Sequence, residues 1–364
     1  MQRYTDNDWN EIIRHLDGAH ILQTREWGEF KRRTTGWTPE HYLWRDAHGE
    51  VCAAALILTR QISLFRVMYA PKGPLLNHTD RMLWRRVLAD LEGLARRRRA
   101  IYLKIDPDLI AARGVPNTPE AQDDPHGQAV IDLLRQRNWQ FSDSQVQFRN
   151  TVALDLRQSE EDILAGMNQS KRRKVRYGEK HGVRIRPATL DDLPIMYQMY
   201  AETGRRNGFI TRPESYYLDE WGTMLRSGLG HALIAEVNGN PCAHVVLFAF
   251  GQKCLYFIGA SVSDNDIRKL MPADGLQWAA IQWAKAQGYA IYDLWGAPND
   301  FVEGDPLWGV WQFKKDFGGQ VLRHIGAWDF TPLPPLYTLY TRLMPRFLAW
   351  LRRRNQAGGS QDSV

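Results

Sequence analysis

One feature narrows the possible folds more than any other: the chain repeats itself. The first half carries VCAAALIL from Val51 and AIYLKIDP from Ala100. The second carries PCAHVVLF from Pro241 and AIYDLWGAP from Ala290. Cys52 to Ile101 and Cys242 to Ile291 span the same 49 positions. Fixed-period self-similarity marks a repeated structural unit. Each segment opens as an apolar, β-branched run, which is the signature of a strand. A helical pattern lies between them in each half, MLWRRVLADLEGLARR from Met82 and GLQWAAIQWAKAQG ending at Gly288. Each half therefore reads strand, strand, helix, strand. This predicts an α/β (α+β) architecture built twice.

Local signals fill in the second half. TVALDL (151–156) reads as a strand, and Ser159 with Asp162 forms a capping-box signature for the helix after it. A second helix is expected from Thr189, with Asp191 and Asp192 in its first turn. Gly251 marks a hairpin turn. The small, polar segment from Gln356 to the end is expected to be disordered.

Charge points towards an anionic partner. Net charge is +6 and the pI about 9.2, which suits nucleic acid, phosphorylated substrates or acidic lipid, or solubility alone. Three cysteines, Cys52, Cys242 and Cys254, offer neither a metal-ligand spacing nor an even disulfide set. The N-terminus lacks the basic and apolar regions of a signal peptide, and no apolar run reaches about 18 residues. A cytoplasmic protein is expected, able to work at the inner face of the membrane.

Several short segments carry candidate chemistry. DPLWGVWQFKKDFGG, from Asp305, sets Lys314 and Lys315 directly after Phe313 in an otherwise apolar stretch. A buried ammonium requires an anion or a hydrogen-bond acceptor. WGEFKRRTTGW places Lys31 after Phe30, on a helix face that could equally be solvated. YAPKGPLL brackets Lys72 between two prolines, a rigid turn expected to point Lys72 outward. In KIDPDL, Asp106 ends a strand, either as a cleft-lining acid or as a turn cap. In NGFITRPESYY, Pro213 forces a break at Arg212, four residues before Tyr216, a pairing that can clamp phosphate. The run Lys171, Arg172, Arg173, Lys174 and Arg176 reads as a phosphate-backbone footprint or as a solvated helix face. The segment from Leu333 to Arg354 has helical apolar spacing among arginines, suiting a core-covering helix or membrane-surface contact.

A strand–helix–strand unit of this type suggests the GNAT acyltransferase fold. The turn expected to cradle a CoA pyrophosphate reads NDIRKLMPADG and lacks its glycines. An acetyl-CoA-dependent N-acyltransferase and a non-catalytic RNA-binding protein are the rival readings. Six segments in order, QTREWGEFKRRTTGW, YAPKGPLL, YLKIDPDL, GFITRPESYY, IYDLWGAP and LWGVWQFKKDFGG, resemble the FemABX family of aminoacyl-tRNA-dependent peptidyltransferases, over nearly the whole chain.

The resemblance implies two GNAT-like domains with a cleft between them. One comprises 1–149 completed by 324–355, the other 150–323, with 356–364 as a tail. There is no long coiled-coil arm, since no charged heptad segment is present. It implies that Lys31 and Arg212 bind a phosphorylated muramyl-peptide precursor, with Tyr216, Lys72 and Tyr256 in the substrate site. It places Phe313 and Lys314 at the reaction centre, where an anion would meet Lys314 and Lys315 would snorkel to solvent. Asp106 matches a family acidic position and is the candidate to accept or orient the amine proton. Ile258 stands where some relatives have tyrosine. The implied co-substrate is aminoacyl-tRNA, with no metal and no other cofactor. The acceptor is a UDP-linked or lipid-linked peptidoglycan precursor, and the protein is expected to be a monomer. The basic run 171–176 as a tRNA contact is an inference from these residues, separate from the resemblance.

Overall fold

In the computed structural model, residues 1–343 are described. The expected tail 356–364 and most of the expected C-terminal amphipathic helix lie outside them.

The repeat is a structural one. In the first half, Thr38–Arg45, Val51–Ile62 and Phe65–Ala70 pair antiparallel in succession. Helix Arg81–Arg97 then returns the chain so that Ala100–Ile105 pairs parallel to Phe65–Ala70. In the second half, Gly230–Val237, Asn240–Phe250 and Lys253–Ser261 run antiparallel. Helix Pro272–Ala286 returns the chain to Ile291–Asp293, parallel to Lys253–Ser261. A parallel pair needs such a crossover, which explains the equal spacing of the two halves.

Local chemistry sets the boundaries of these elements. Ser159 caps Glu160–Gly166 by accepting the Asp162 N–H, and Thr189 with Asp192 closes a capping box before Leu193–Asn207. Gly251 turns the 240–261 hairpin at φ 59°, a left-handed position that costs glycine little. Pro272 opens its helix behind Met271 at φ 55°.

The two sheets exchange strands. Trp328–Phe330 inserts into the first sheet between Ala100–Ile105 and Gln140–Phe141. In return, Ile110–Arg113 and Gln122–Asp123, from the first half of the sequence, extend the second sheet beyond Gln320–His324. Each sheet packs a core of its own. A third core joins the halves, with Trp9, Trp27 and Phe30 meeting Tyr217, Trp221 and Phe248. The ends of the two parallel strand pairs, near 70–72, 105–108, 253 and 293–296, are thereby brought to one seam.

Candidate active site

The first cluster lies where helix Arg25–Thr35 faces helix Glu214–Arg226. Thr24 caps the former by accepting the Trp27 N–H, and Pro213 precedes the latter. Lys31 Nζ donates to the Tyr216 hydroxyl at 2.7 Å and lies 4.3 Å from the Trp27 ring and 4.8 Å from that of Phe30. The Arg212 guanidinium stacks 4.6 Å from the Tyr216 ring. It makes no ion pair among the described residues. Sequence reasoning anticipated these three residues and missed Glu220, one helical turn beyond Tyr216 and buried. Burial pushes the Glu220 carboxyl up and the Lys31 ammonium down, with Arg212 lowering Lys31 further and Glu220 opposing. Such a site is short of negative charge and partly dry, which suits an incoming anion.

The second cluster occupies the seam. Lys72 does not point outward as expected. It sits at φ 52° and is 2% exposed, turned into the protein. There its Nζ lies 3.4 Å from Asp108 Oδ1. Asp108 also pairs with Lys253 and lies 3.4 Å from His324 Nε2. Burial pushes the Asp108 carboxyl up, but Lys253, Lys72 and His324 outweigh it and hold it well below the usual range. Lys253 reaches on to Asp293 at 3.7 Å, and Asp293 accepts the Trp295 N–H at 2.8 Å.

Asp106 is buried behind this group. It accepts from the Tyr69 hydroxyl at 2.6 Å and from the Lys72 N–H at 2.5 Å. It thus caps the Lys72 turn, the second of the two roles its position allowed. Burial raises its carboxyl to about 6 against the pull of Lys72.

Lys314 is 4% exposed, at the end of helix Trp308–Lys314, while Lys315 is exposed. Its Nζ donates to the Trp295 carbonyl and, at 2.8 Å, to that of Gly296. It lies 5.6 Å from the Tyr256 ring. In the free protein, then, carbonyl oxygens rather than an anion receive this ammonium. Burial lowers it to about 7, with Asp293 opposing. Phe313 turns elsewhere, packing 5.3 Å from Phe317.

An aromatic wall joins the clusters. Trp27, beside Lys31, lies 6.4 Å from Phe257, and Phe257 lies 6.5 Å from Trp295. The Lys72 ammonium is 5.4 Å from that same Trp295 ring.

The basic run does not stay together. Lys171 is 2% exposed. It donates to Asp274 at 2.7 Å and sits 4.2 Å from Phe313 and 4.3 Å from Phe317. Its expected place in a nucleic-acid footprint is therefore corrected: on helix Gln169–Lys180 it shares the buried face with Val175 and Gly178. Arg172 donates to the carbonyls of Ala165 and Met167. Arg173 and Arg176 are exposed and Lys174 is half-buried.

The sequence matches the model of the FemAB family over residues 5–223 and 231–344. Among curated proteins, it is 21% identical to the lipid II:glycine glycyltransferase of Staphylococcus haemolyticus, covering 94% of this chain and 95% of that protein. It is 22% identical to the enzyme of the same name from Staphylococcus aureus strain USA300, over the same shares. Among solved structures, the crystal structure of FemX superposes with a TM-score of 0.81 at 19% identity, covering 93% of this chain and 99% of that one. A tandem GNAT protein from the clavulanic acid biosynthesis pathway gives 0.51 at 14% identity, covering 90% and 97%.

Proposed function

Because the chain belongs to the FemAB family, we propose that it transfers an aminoacyl group from aminoacyl-tRNA to the stem-peptide amine of a peptidoglycan precursor, building the interpeptide bridge. The named substrate of its relatives, lipid II, favours a lipid-linked acceptor. Among the described residues no helix is long and apolar enough to cross a membrane. A lipid-linked acceptor would be met at the membrane surface, on the side where charged tRNA is present. The observation that carries this reading is the pairing of a cation-rich, aromatic anion site with a buried lysine, joined by one aromatic wall.

The amine nitrogen attacks the ester carbonyl carbon of the charged tRNA. A C–N bond forms, the C–O bond to the terminal ribose breaks, and that oxygen leaves with a proton in place of the one the amine loses. The ester is already activated, so orientation and stabilisation of the oxyanion suffice as the protein's share. Lys31 and Arg212 would hold the precursor's phosphates, with Tyr216 between them. Lys72 and Tyr256 would line the path to the reacting amine. Lys314 would face the tetrahedral carbon's oxygen, with Phe313 packed behind the end of its helix. Asp106 would orient the Lys72 turn rather than take the proton directly. The exposed Arg173 and Arg176, with Lys174, remain available to tRNA phosphates. The reading requires no metal and no further cofactor, and a monomer would be sufficient.

The protein should be incubated with mixed charged tRNAs and either UDP-muramyl-pentapeptide or lipid II, and the products weighed by mass spectrometry. Added residue mass on one acceptor identifies both amino acid and acceptor. No gain with lysine, ornithine or diaminopimelate stems would overturn the proposal, and acetyl-CoA in a parallel reaction tests the rival donor.

Lys31→Met and Arg212→Met should each raise the acceptor KM by about 10-fold or more, since hydrogen bonds to charged groups contribute about 1.5–3 kcal/mol, with kcat little changed. Lys31 loses its proton earlier than an ordinary lysine, so acceptor affinity should fall as pH rises above neutrality. Steady-state kinetics across pH would decide. An unchanged KM in folded variants would remove these residues from the phosphate site.

A further inference from the structure

A cavity of about 490 Å³ is lined in part by Asn150 and Asn299, and of the residues in the two clusters above only His324 borders it. Its walls include Arg149, Arg323, Asn150, Asn299, His324 and Phe141. Three buried polar atoms there lack a hydrogen-bond partner: Arg149 Nε, Arg323 Nε and Asn150 Oδ1. Among the described residues neither guanidinium makes an ion pair. Burial lowers Arg149, with Arg323 pushing the same way and Asp300 opposing. Asp123 also lies on the cavity wall. The Arg149 guanidinium stacks 5.2 Å from the ring of Phe141, which is 44% exposed.

Two half-buried like charges side by side, with donors unused, are unfavourable until an anion bridges them. Planar guanidinium forks match the oxygens of a phosphate. An exposed aromatic ring beside them supplies a face on which a base can stack.

The cavity's position fits the donor side of the reaction. Asn150 Nδ2 donates to the Pro298 carbonyl at 2.6 Å, and the Ala297 N–H donates back to Asn150 at 2.8 Å. The carbonyl of Gly296, two residues before Pro298, receives Lys314. His324 also lines the cavity, and its Nε2 faces Asp108. An RNA 3′ end bound here would lie against Asn150, which holds the segment whose carbonyls receive Lys314.

We propose that this cavity binds the unpaired 3′-terminal nucleotides of the donor RNA, with Arg149 and Arg323 bridging a phosphodiester and Phe141 stacking a base. This rests on the aminoacyl-tRNA reading above. The test is fluorescence anisotropy with two 5′-labelled RNA minihelices, one ending in an unpaired CCA and one blunt. Wild type should prefer the overhang. Arg149→Ala/Arg323→Ala should bind it at least 10-fold more weakly, lose the preference and show a shallower salt dependence, by about 0.7 per lost phosphate contact. The double lysine variant should recover part of the affinity.

If the double variant fails to fold, modification of the wild type by phenylglyoxal, read by mass spectrometry, replaces it. The overhang RNA should then shield Arg149 and Arg323. Undiminished overhang binding by the folded variant, or no shielding, overturns the cavity assignment and leaves the donor reading standing. No RNA binding by wild type overturns both. Loss of lipid II binding with RNA binding intact would give the cavity to the acceptor and overturn the proposal.

Discussion

Lys314→Ala should lower kcat by about 10²- to 10³-fold, the cost of removing one strong donor to a developing oxyanion, while acceptor KM stays nearly constant. An ammonium has three N–H donors. Two are committed to the carbonyls of Trp295 and Gly296, which fix its direction and leave one for the transition state. Because burial lowers Lys314 to about 7, its charged form is complete below that pH and is lost as pH rises through it. Wild-type kcat should therefore carry a falling limb near neutrality that the alanine variant lacks. A purely structural role predicts otherwise: the loss would appear as a lower Tm, with kcat per folded molecule and its pH profile unchanged. Rapid-quench measurement of the transfer step from pH 6 to 9 separates the two.

How much of this was legible in the sequence depends on how local each signal is. The equal spacing of Cys52–Ile101 and Cys242–Ile291 reports two crossovers of the same length, so the duplicated fold could be read directly. Ser159, Thr189 and Gly251 act within a few residues, and each does what its type dictates. Pairing between the halves leaves no such mark. Nothing in Ile110–Arg113 says that its partner is Gln320–His324 in the other sheet. Lys171 was misread because a run of basic residues resembles a surface, whereas the helical period turns 171, 175 and 178 inward. Lys72 was misread because a turn between prolines is normally exposed, and here Asp106 and Asp108 draw it into the seam. Lys31, Arg212 and Tyr216 each stood in a segment that the residues or the resemblance singled out, and the structure groups them, but Glu220 had no motif to flag it. Asp108 stood two residues from Asp106 in the same segment. What distinguishes it is Lys253 and His324, which only the fold brings near.

Asp108→Ala should destabilise the protein by about 3–5 kcal/mol, the usual cost of breaking a buried ion pair from one side, and lower Tm by on the order of 10 °C. The variant leaves Lys72 without the carboxylate it faces and Lys253 with only Asp293, at 3.7 Å. Asp108 and its three partners, Lys72, Lys253 and His324, lie at or just beyond strand ends of both sheets, so the loss falls on the seam rather than on either core. The pH dependence follows from the depressed Asp108 carboxyl. Its contribution is fully present above its unfolded value of about 4 and is lost as pH falls towards the folded one. Wild type should lose stability steeply in acid, and the variant less so. Asp108→Ala/Lys253→Met should regain part of the loss, because the second change removes the uncompensated charge, and the two effects should be strongly non-additive. Thermal melts of the four proteins between pH 3 and 8 test this, and a Tm within about 1 °C of wild type for Asp108→Ala would refute it. The consequence would reach Lys314, at the proposed reaction centre. Lys253 faces Asp293, Asp293 accepts the Trp295 N–H, and the Trp295 carbonyl receives Lys314, so loosening Asp108 should also slow transfer in molecules that remain folded.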